Sequence, residues 1–367
     1  MLLEGLFAPI TTPFYPDGSL YFRKLEHNVD RYSRTPLAGM AVLGSTGEAV
    51  MLSDEESREV LSVAAAAAAA HKVMIAGIGR ESVAGTLALA EHAATLRYDA
   101  VLVRTPFFYR AQMHRAPVAG GSALESQTEM LTYFRAVADR SPLPVLLYSV
   151  PVFTGYDLPV DLIAELAQHP NIIGLKESSG NAERIAQVVA RTSGVKRTAT
   201  VTPVFAAVTE RMLAASTGTD GEGAATFVSA DLLGAGGAAL ATAPAKAAMK
   251  TRTREVGFQV LAGSAQTMLA SLQAGATGAV LAFASCAPQA CYEVLAAWKD
   301  RNAALALEKQ ERVAMAAQRI ASGLGIPGVK YACDLNGYYG GNPRLPLLPL
   351  QASEKAEVAA LMDTMRH

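Results

Sequence analysis

Short apolar runs alternate with longer amphipathic stretches over most of the chain. Eight runs have the length and the aliphatic or β-branched content of buried strands, at residues 6–10, 38–43, 73–76, 100–103, 145–149, 172–175, 258–261 and 278–281. Helical spacing of apolar residues separates most of them, at 25–32, 53–70, 82–96, 125–140, 162–167, 181–189 and 264–273. The pattern predicts strands and helices in regular alternation.

This alternation is typical of parallel βα units. Eight such units predict an α/β fold, a closed (β/α)8 TIM barrel, and the alternative is an open doubly wound sheet. Beyond residue 284 the pattern is only helical, at 289–299, 303–322, 329–335 and 353–365, with interruptions at 325–328 and 342–349. We therefore expect a barrel over residues 1–284 and a C-terminal helical extension over 285–367.

One segment interrupts this order. Residues 194–256, between the sixth helix and the seventh strand, are rich in Ala, Gly and Thr, and Gly218–Gly223 is predicted to be a flexible tip. A connection of this length inside a domain is usually functional or mobile. Helix-to-strand connections lie at the N-terminal end of a barrel, whereas chemistry occurs at the other end. We expect this insertion to serve an interface or stability, and not to be a catalytic lid.

Composition and charge restrict the partners. Half of the residues are hydrophobic, the net charge is −1, and no basic cluster occurs, so the pattern favours a small-molecule partner over nucleic acid or a membrane. Three cysteines, Cys286, Cys291 and Cys333, do not make a disulfide framework. With no secretory-signal pattern at the N-terminus and no run of eighteen apolar residues, a cytoplasmic location is predicted.

A lysine follows one of the apolar runs directly. Lys176 comes after residues 172–175, and Ser178, Ser179 and Gly180 follow it before the next helix. Most lysines are solvated and carry only charge. Here the apolar residues would draw the ammonium toward a low dielectric, which lowers the pKa of an amine. A neutral amine can attack a carbonyl and form a Schiff base, so Lys176 is a candidate nucleophile.

Other polar residues occur where strands end. They are Ser45 and Thr46 after the second strand, Arg104 and Thr105 after the fourth, Tyr148 in the fifth, and Gly263 and Ser264 after the seventh. In a barrel these ends converge, and a phenol with hydroxyl donors beside an amine suits a 2-oxo acid. Taken singly, each has a structural explanation, since Tyr148 could fill the barrel and Ser45-Thr46 could form a tight turn.

No metal or organic cofactor is predicted. The six histidines lack the spacing of metal ligands, and Gly77-Ile78-Gly79 lacks the third glycine of a dinucleotide-binding motif.

Six segments together resemble one known family. APITTPF, GSTGEA, YSVPVFTG, GLKESSGN, VLAGSA and GIPGVKYACDLNGYYGGNPRLPL are similar to motifs of the dihydrodipicolinate synthase and N-acetylneuraminate lyase family of class I aldolases. The resemblance is nearest to the 4-hydroxy-2-oxoglutarate aldolase branch. It implies a lyase that forms a Schiff base with a 2-oxo acid, with pyruvate as donor or product and an aldehyde as second reactant. It also implies a homo-oligomer, commonly a dimer or tetramer.

The resemblance also implies roles for single residues. Lys176 in GLKESSGN matches the Schiff-base lysine, and Tyr148 in YSVP matches the phenol that relays protons and helps to bind substrate. Ser45 and Thr46 in GSTGE match the pair that holds the substrate carboxylate and joins the proton relay. The pocket-lining positions on the last two strands are Gly263 and Val280.

Two departures concern the substrate. Dihydrodipicolinate synthases typically carry a carboxylate-binding arginine where this chain has Phe153, and a tyrosine from a neighbouring subunit where it has Phe108. Tyr109 adjoins that position and could take a shifted role. Losing a charged hydrogen bond costs about 1.5 to 3 kcal/mol, or ten- to a hundred-fold in affinity. A second substrate carboxylate would need another partner, for which Arg104 and Arg110 are candidates.

Two alternatives stay open, and the second rests on these departures. The chain could be a dihydrodipicolinate synthase, or an acidic-sugar aldolase or dehydratase, that uses the same lysine. It could also be a non-catalytic relative that binds or senses a 2-oxo acid.

Overall fold

Eight parallel strands close into a barrel in the computed structural model, which describes residues 1–113, 127–217 and 249–365. The barrel strands are β1 (Gly5–Pro9), β2 (Gly39–Val42), β3 (Val73–Gly77), β4 (Ala100–Arg104), β5 (Val145–Ser149), β6 (Ile172–Glu177), β9 (Gln259–Ala262) and β10 (Gly278–Val280). They follow one another around the barrel in this order, and β10 pairs with β1 to close it. The predicted TIM barrel is confirmed, and the open sheet is excluded.

Helices surround the strands. Those that follow barrel strands are α1 (Phe22–Ser33), α2 (Asp54–Ala67), α3 (Val83–Thr95), α4 (Arg110–Met113), α5 (Thr128–Arg140), α6 (Pro151–Thr154), α7 (Val160–Leu166), α8 (Ala182–Thr192) and α10 (Met268–Gln273). A capping box begins α2, since Ser53 and Glu56 exchange hydrogen bonds. Asn181 caps α8, since its side-chain oxygen accepts a hydrogen bond from the backbone N–H of Arg184.

The core has two main layers because parallel strands are covered on both faces. One cluster fills the barrel interior and includes Phe7, Ile75, Leu102, Tyr148 and Val280. The other, larger cluster packs the outer strand faces against the helices. Gly174 in β6 shows how closely the strands approach, since a Cβ there would lie 2.3 Å from the carbonyl oxygen of Gln259 in β9. Only glycine fits at that position.

The insertion contains structure that the sequence pattern did not predict. Strands β7 (Arg197–Val201) and β8 (Arg252–Val256) form a separate antiparallel pair, and α9 (Glu210–Thr217) follows β7. The α9 segment lies against the N-terminal end of the barrel, since the backbone N–H of Glu210 donates to Asp99, just before β4. The predicted flexible tip, Gly218–Gly223, lies outside the described residues.

The C-terminal part is helical, as predicted. It comprises α11 (Pro288–Lys299), α12 (Ala303–Ala317), α13 (Gly325–Leu335) and α14 (Ala352–Asp363), and a π-helical turn at Gln318–Gly323 follows α12. One detail of the prediction is wrong, because 325–328 does not interrupt the helix but forms the first turn of α13. Helix α11 contacts β1 of the barrel. The division of the chain at residue 285 stays a prediction.

Candidate active site

Lys176 lies near the C-terminal end of β6, opposite Tyr148 of β5 in the strand register. Both side chains are buried, with only 4% of Lys176 and 5% of Tyr148 exposed. The Nζ atom of Lys176 is 4.2 Å from the centroid of the Tyr148 ring. The apolar run before Lys176 therefore carries the amine into the barrel, as the sequence pattern predicted.

The amine of Lys176 has no carboxylate partner and no hydrogen-bond acceptor among the described residues. Its neighbour Glu177 points elsewhere, since that carboxylate binds the Arg184 guanidinium at 2.9 Å and accepts a hydrogen bond from the backbone N–H of Ser179. Arg184 also forms an ion pair with Asp157. The arrangement leaves the Lys176 nitrogen available to an incoming carbonyl group.

Tyr148 contacts Lys176 through its ring and the turn after β2 through its hydroxyl. Its oxygen is 3.3 Å from Oγ of Ser45. Residues Ser45–Gly47 form one 3₁₀ turn, in which Thr46 is buried and Ser45 is partly exposed. The structure thus brings together three elements that the sequence placed on β2, β5 and β6, and a proton on the phenol has a route to a hydroxyl group.

Two further predicted positions lie on the last strands. Val280 of β10 belongs to the interior cluster that contains Tyr148. Gly263 follows β9, and a Cβ at this position would lie 2.2 Å from Oγ of Ser178. Because Gly263 has no side chain, there is room for the side chain of Ser178, which is two residues beyond Lys176 in the sequence.

The chain was compared with known proteins, and the family model described as "Dihydrodipicolinate synthetase family" matches residues 2–197 and 240–365. The chain belongs to this family. The resemblance inferred from its motifs is therefore confirmed, and the chain is an enzyme of the class I aldolase and lyase type.

Relatives in the dihydrodipicolinate synthetase family differ in their named activities. The chain is 26% identical over 364 residues to a 4-hydroxy-tetrahydrodipicolinate synthase of Methanothrix thermoacetophila, with 99% of this chain and 97% of the relative covered. It is 29% identical over 369 residues to an L-threo-3-deoxy-hexylosonate aldolase of Hypocrea jecorina, covering 99% and 95%. The solved structure of Proteus mirabilis N-acetylneuraminate lyase shares the fold, with a TM-score of 0.72, 22% identity and 99% of both chains covered.

The next residues are those for which the sequence suggested a part in binding the second substrate carboxylate or a departure from the family motifs. Arg104 binds Glu81 at 2.8 Å and stacks over Phe107, so its charge is already paired. Phe153, on the short helix α6, is 64% exposed. Phe108 and Tyr109 are also exposed and pack edge to face against each other. Their predicted roles in substrate binding stay predictions.

Four further hydroxyl groups lie at the same end of the barrel, and the sequence pattern had singled out only Thr105 among them, at the end of the fourth strand. They are buried and have no hydrogen-bond partner in the described part of the chain: Thr11, Thr105, Ser178 and Thr267. Each follows the C-terminal end of a barrel strand, and that position was the available signal. Buried hydroxyls normally have partners, so these groups are suited to contact a bound molecule.

Two structural findings concern cofactors and membranes. Within residues 1–113, 127–217 and 249–365, no group of three His, Cys, Asp or Glu side chains is arranged to hold a metal ion. Over the same residues, none of the helices has the length and apolar character needed to span a bilayer.

Proposed function

We propose that this family member is an aldolase that forms a Schiff base between Lys176 and a 2-oxo acid, with pyruvate as donor or product. One observation carries the proposal: the buried amine of Lys176 lies 4.2 Å from the ring of Tyr148, whose hydroxyl is 3.3 Å from Ser45. A nucleophile, a proton carrier and an anion-binding turn are the groups that this chemistry needs.

The reaction would begin when the Lys176 nitrogen attacks C2 of the 2-oxo acid. The C2 oxygen leaves as water after it accepts protons, and a cationic imine remains. In the cleavage direction, the electrons of the C3–C4 bond move toward this imine, an enamine forms, and the C4 hydroxyl loses its proton as the aldehyde departs. We expect Tyr148 to carry these protons, which is supported by the contact of its ring with Lys176 and of its hydroxyl with Ser45.

The turn at Ser45–Gly47 supports the binding of the substrate carboxylate. Its backbone turns tightly, Thr46 is buried, and the Ser45 hydroxyl points to the phenol of Tyr148. Hydroxyl and N–H donors at such a turn can bind a carboxylate without a cation. Fixing the carboxylate here would place C2 of the 2-oxo acid near Lys176.

We propose 4-hydroxy-2-oxoglutarate or a similar acid as the cleaved substrate, with Arg110 as the partner of its second carboxylate. Arg104 is less suitable because Glu81 already binds its guanidinium. Arg110, on α4, donates to the carbonyl oxygen of Thr154, one residue after Phe153. It therefore brings a cation to the segment from which the arginine of dihydrodipicolinate synthases is missing.

Borohydride reduction in the presence of pyruvate tests the Schiff base. We expect a covalent adduct, located at Lys176 by peptide mass spectrometry, and no adduct in Lys176→Met. Lys72, which is also buried, is the internal control and should stay unmodified. Folded wild-type protein that forms no adduct would refute the proposed function.

The second candidate is a 4-hydroxy-tetrahydrodipicolinate synthase, the activity named for the Methanothrix relative. Phe153 weighs against it because phenylalanine cannot bind a carboxylate. Product formation from pyruvate with different aldehydes would distinguish the candidates. We expect Arg110→Gln to raise KM for a 2-oxo diacid about ten- to a hundred-fold and to leave half-saturation by pyruvate nearly unchanged. An unchanged KM for the diacid would remove Arg110 from the site.

We also propose that the enzyme is a homo-oligomer in a reducing, cytoplasmic location. Exposed apolar side chains on two neighbouring segments, Phe108, Tyr109, Val152 and Phe153, support self-association. Three free, buried thiols support the location. Sedimentation velocity and cell fractionation are the corresponding measurements.

A further inference from the structure

The turn that carries Ser45 and Thr46 has an unusual backbone. Leu43 and Glu48, on either side of it, adopt left-handed conformations with φ of 61° and 56°. Side chains other than glycine rarely adopt this conformation because it costs free energy, and it persists only where the surroundings enforce it. Some contact must therefore hold the turn in this shape.

The C-terminal extension provides that contact. Lys330, on α13, is fully buried, and its Nζ lies 2.5 Å from Oε1 of Glu48. The other carboxylate oxygen of Glu48 accepts a hydrogen bond of 2.7 Å from the backbone N–H of Arg344. Lys330 is itself fixed, since it donates to the carbonyl oxygen of Asn342 and stacks over the ring of Phe14.

This ion pair is not explained by stability alone. Removing two charges from water is costly, and apolar residues of similar volume often give a protein that is equally stable. Burial lowers the pKa of Lys330, whereas the Glu48 carboxylate opposes this shift. The pair does fix the orientation of the Glu48 side chain, and Glu48 is only two residues from Thr46.

We propose that Lys330 is a positioning residue for the Ser45–Thr46 turn: by binding Glu48 it holds the turn in the shape that receives the substrate carboxylate. This inference rests on the proposed function, in which that turn binds the carboxylate. Lys330 does not touch the substrate and acts only through Glu48.

The test compares the double variant Lys330→Met/Glu48→Gln with the wild type. The double variant leaves no unpaired buried charge, so it avoids the main cause of misfolding. Lys72→Met is the matched control, since Lys72 is a buried lysine at the opposite end of the barrel.

The first readout is borohydride trapping against pyruvate concentration. We expect half-saturation to rise at least ten-fold in the double variant, while labelling at saturating pyruvate stays complete because Lys176 and Tyr148 are unchanged. Lys72→Met should keep the wild-type half-saturation. Folded double variant with half-saturation within two-fold of the wild type would overturn the proposal.

The second readout does not depend on the chemistry. Amide hydrogen exchange should become faster in peptides that cover residues 43–51 of the double variant, and stay unchanged in peptides with Tyr148 or Lys176. Unchanged exchange at 43–51 would overturn the positioning role even if the wild type formed no adduct. A missing wild-type adduct together with faster exchange would refute the proposed function and retain the contact between Lys330 and the turn.

Discussion

The two ends of the barrel each bury a lysine, and they use it differently. At the N-terminal end, Lys72 donates to the carbonyl oxygens of Thr35 and Leu37 at 2.6 and 2.7 Å. At the C-terminal end, Lys176 has no acceptor among the described residues and lies against the ring of Tyr148. Lys72 satisfies the backbone, whereas Lys176 is left for a ligand.

The same difference holds for other buried polar groups. Asp99, at the N-terminal end, accepts hydrogen bonds from the backbone N–H groups of Met74 and Glu210, and so connects the barrel to the insertion. At the C-terminal end the hydroxyls of Thr11, Thr105 and Ser178 have no partner in the described part of the chain. Asp99 therefore holds the fold together at one end, whereas these hydroxyls at the other end are unpaired, although Glu48 and Glu177 at that end do have partners.

Exchanging each lysine for methionine tests this contrast most strongly. Lys176→Met should lower turnover by about 10⁴-fold or more, since the nucleophile is lost, and should leave the melting temperature nearly unchanged. Lys72→Met should lower the free energy of unfolding by about 2 kcal/mol because two carbonyl oxygens lose their donor. Thermal denaturation measures the stability of both variants, and steady-state kinetics measures their activity. An equal loss of activity in both variants would contradict the difference between the two lysines.

Tyr148→Phe separates the ring from the hydroxyl. We expect kcat to fall about 10²- to 10⁴-fold because the proton carrier is lost. The phenyl ring would still cover the amine of Lys176, so trapping of pyruvate by borohydride should persist. If this variant kept full turnover, Tyr148 would have only a packing role.

The pH dependence of stability should report on the N-terminal end. Burial raises the pKa of Asp99 to about 6, above the value of about 3.9 in an unfolded chain. Between these values the folded protein binds more protons than the unfolded chain, so the contribution of Asp99 to stability falls as pH rises from about 4 to 6.

Asp99→Asn removes this dependence. The free energy of unfolding of the variant, relative to the wild type, should therefore increase over the same pH window, by at most about 3 kcal/mol. Urea denaturation at a series of pH values measures it. A constant difference between pH 4 and 6 would show that Asp99 does not titrate there.

The smallest effect is expected at a surface ion pair of the antiparallel pair β7–β8. Arg254 of β8 forms a partly exposed ion pair with Glu4, which Lys299 also binds. Arg254→Ala should cost less than about 1 kcal/mol and leave activity unchanged, since such pairs contribute little. A large loss of activity would mean that the insertion reaches the catalytic end.

The strands and the lysine were predictable because their signal is local. Buried parallel strands are apolar runs, and a lysine directly after such a run must follow the strand into the barrel. The antiparallel pair β7–β8 was not predictable, because β8 (Arg252–Val256) contains a single apolar residue and is largely exposed. Its pairing with β7 depends on a partner about fifty residues away.

Polar contacts between residues far apart in the sequence were also not predictable. Glu48 and Lys330 are 282 positions apart, and neither segment shows that its charge will be buried against the other. The start of α13 was also misjudged, since Gly325 and Gly328 usually end helices. In the structure Gly325 enters the helix with a positive φ, and a Cβ at Gly328 would lie 2.5 Å from the carbonyl oxygen of Ile320.

The antiparallel pairing of β7 with β8 has a consequence for how this chain can change. Arg197 pairs with Val256 and Val201 with Arg252, so the outgoing and returning segments are clamped side by side next to β9. Since α9 also binds the barrel through Asp99, chain length can be gained or lost between Thr217 and Arg252 while these contacts stay in place. Foreign sequence could therefore be inserted there, at the end of the barrel opposite Lys176.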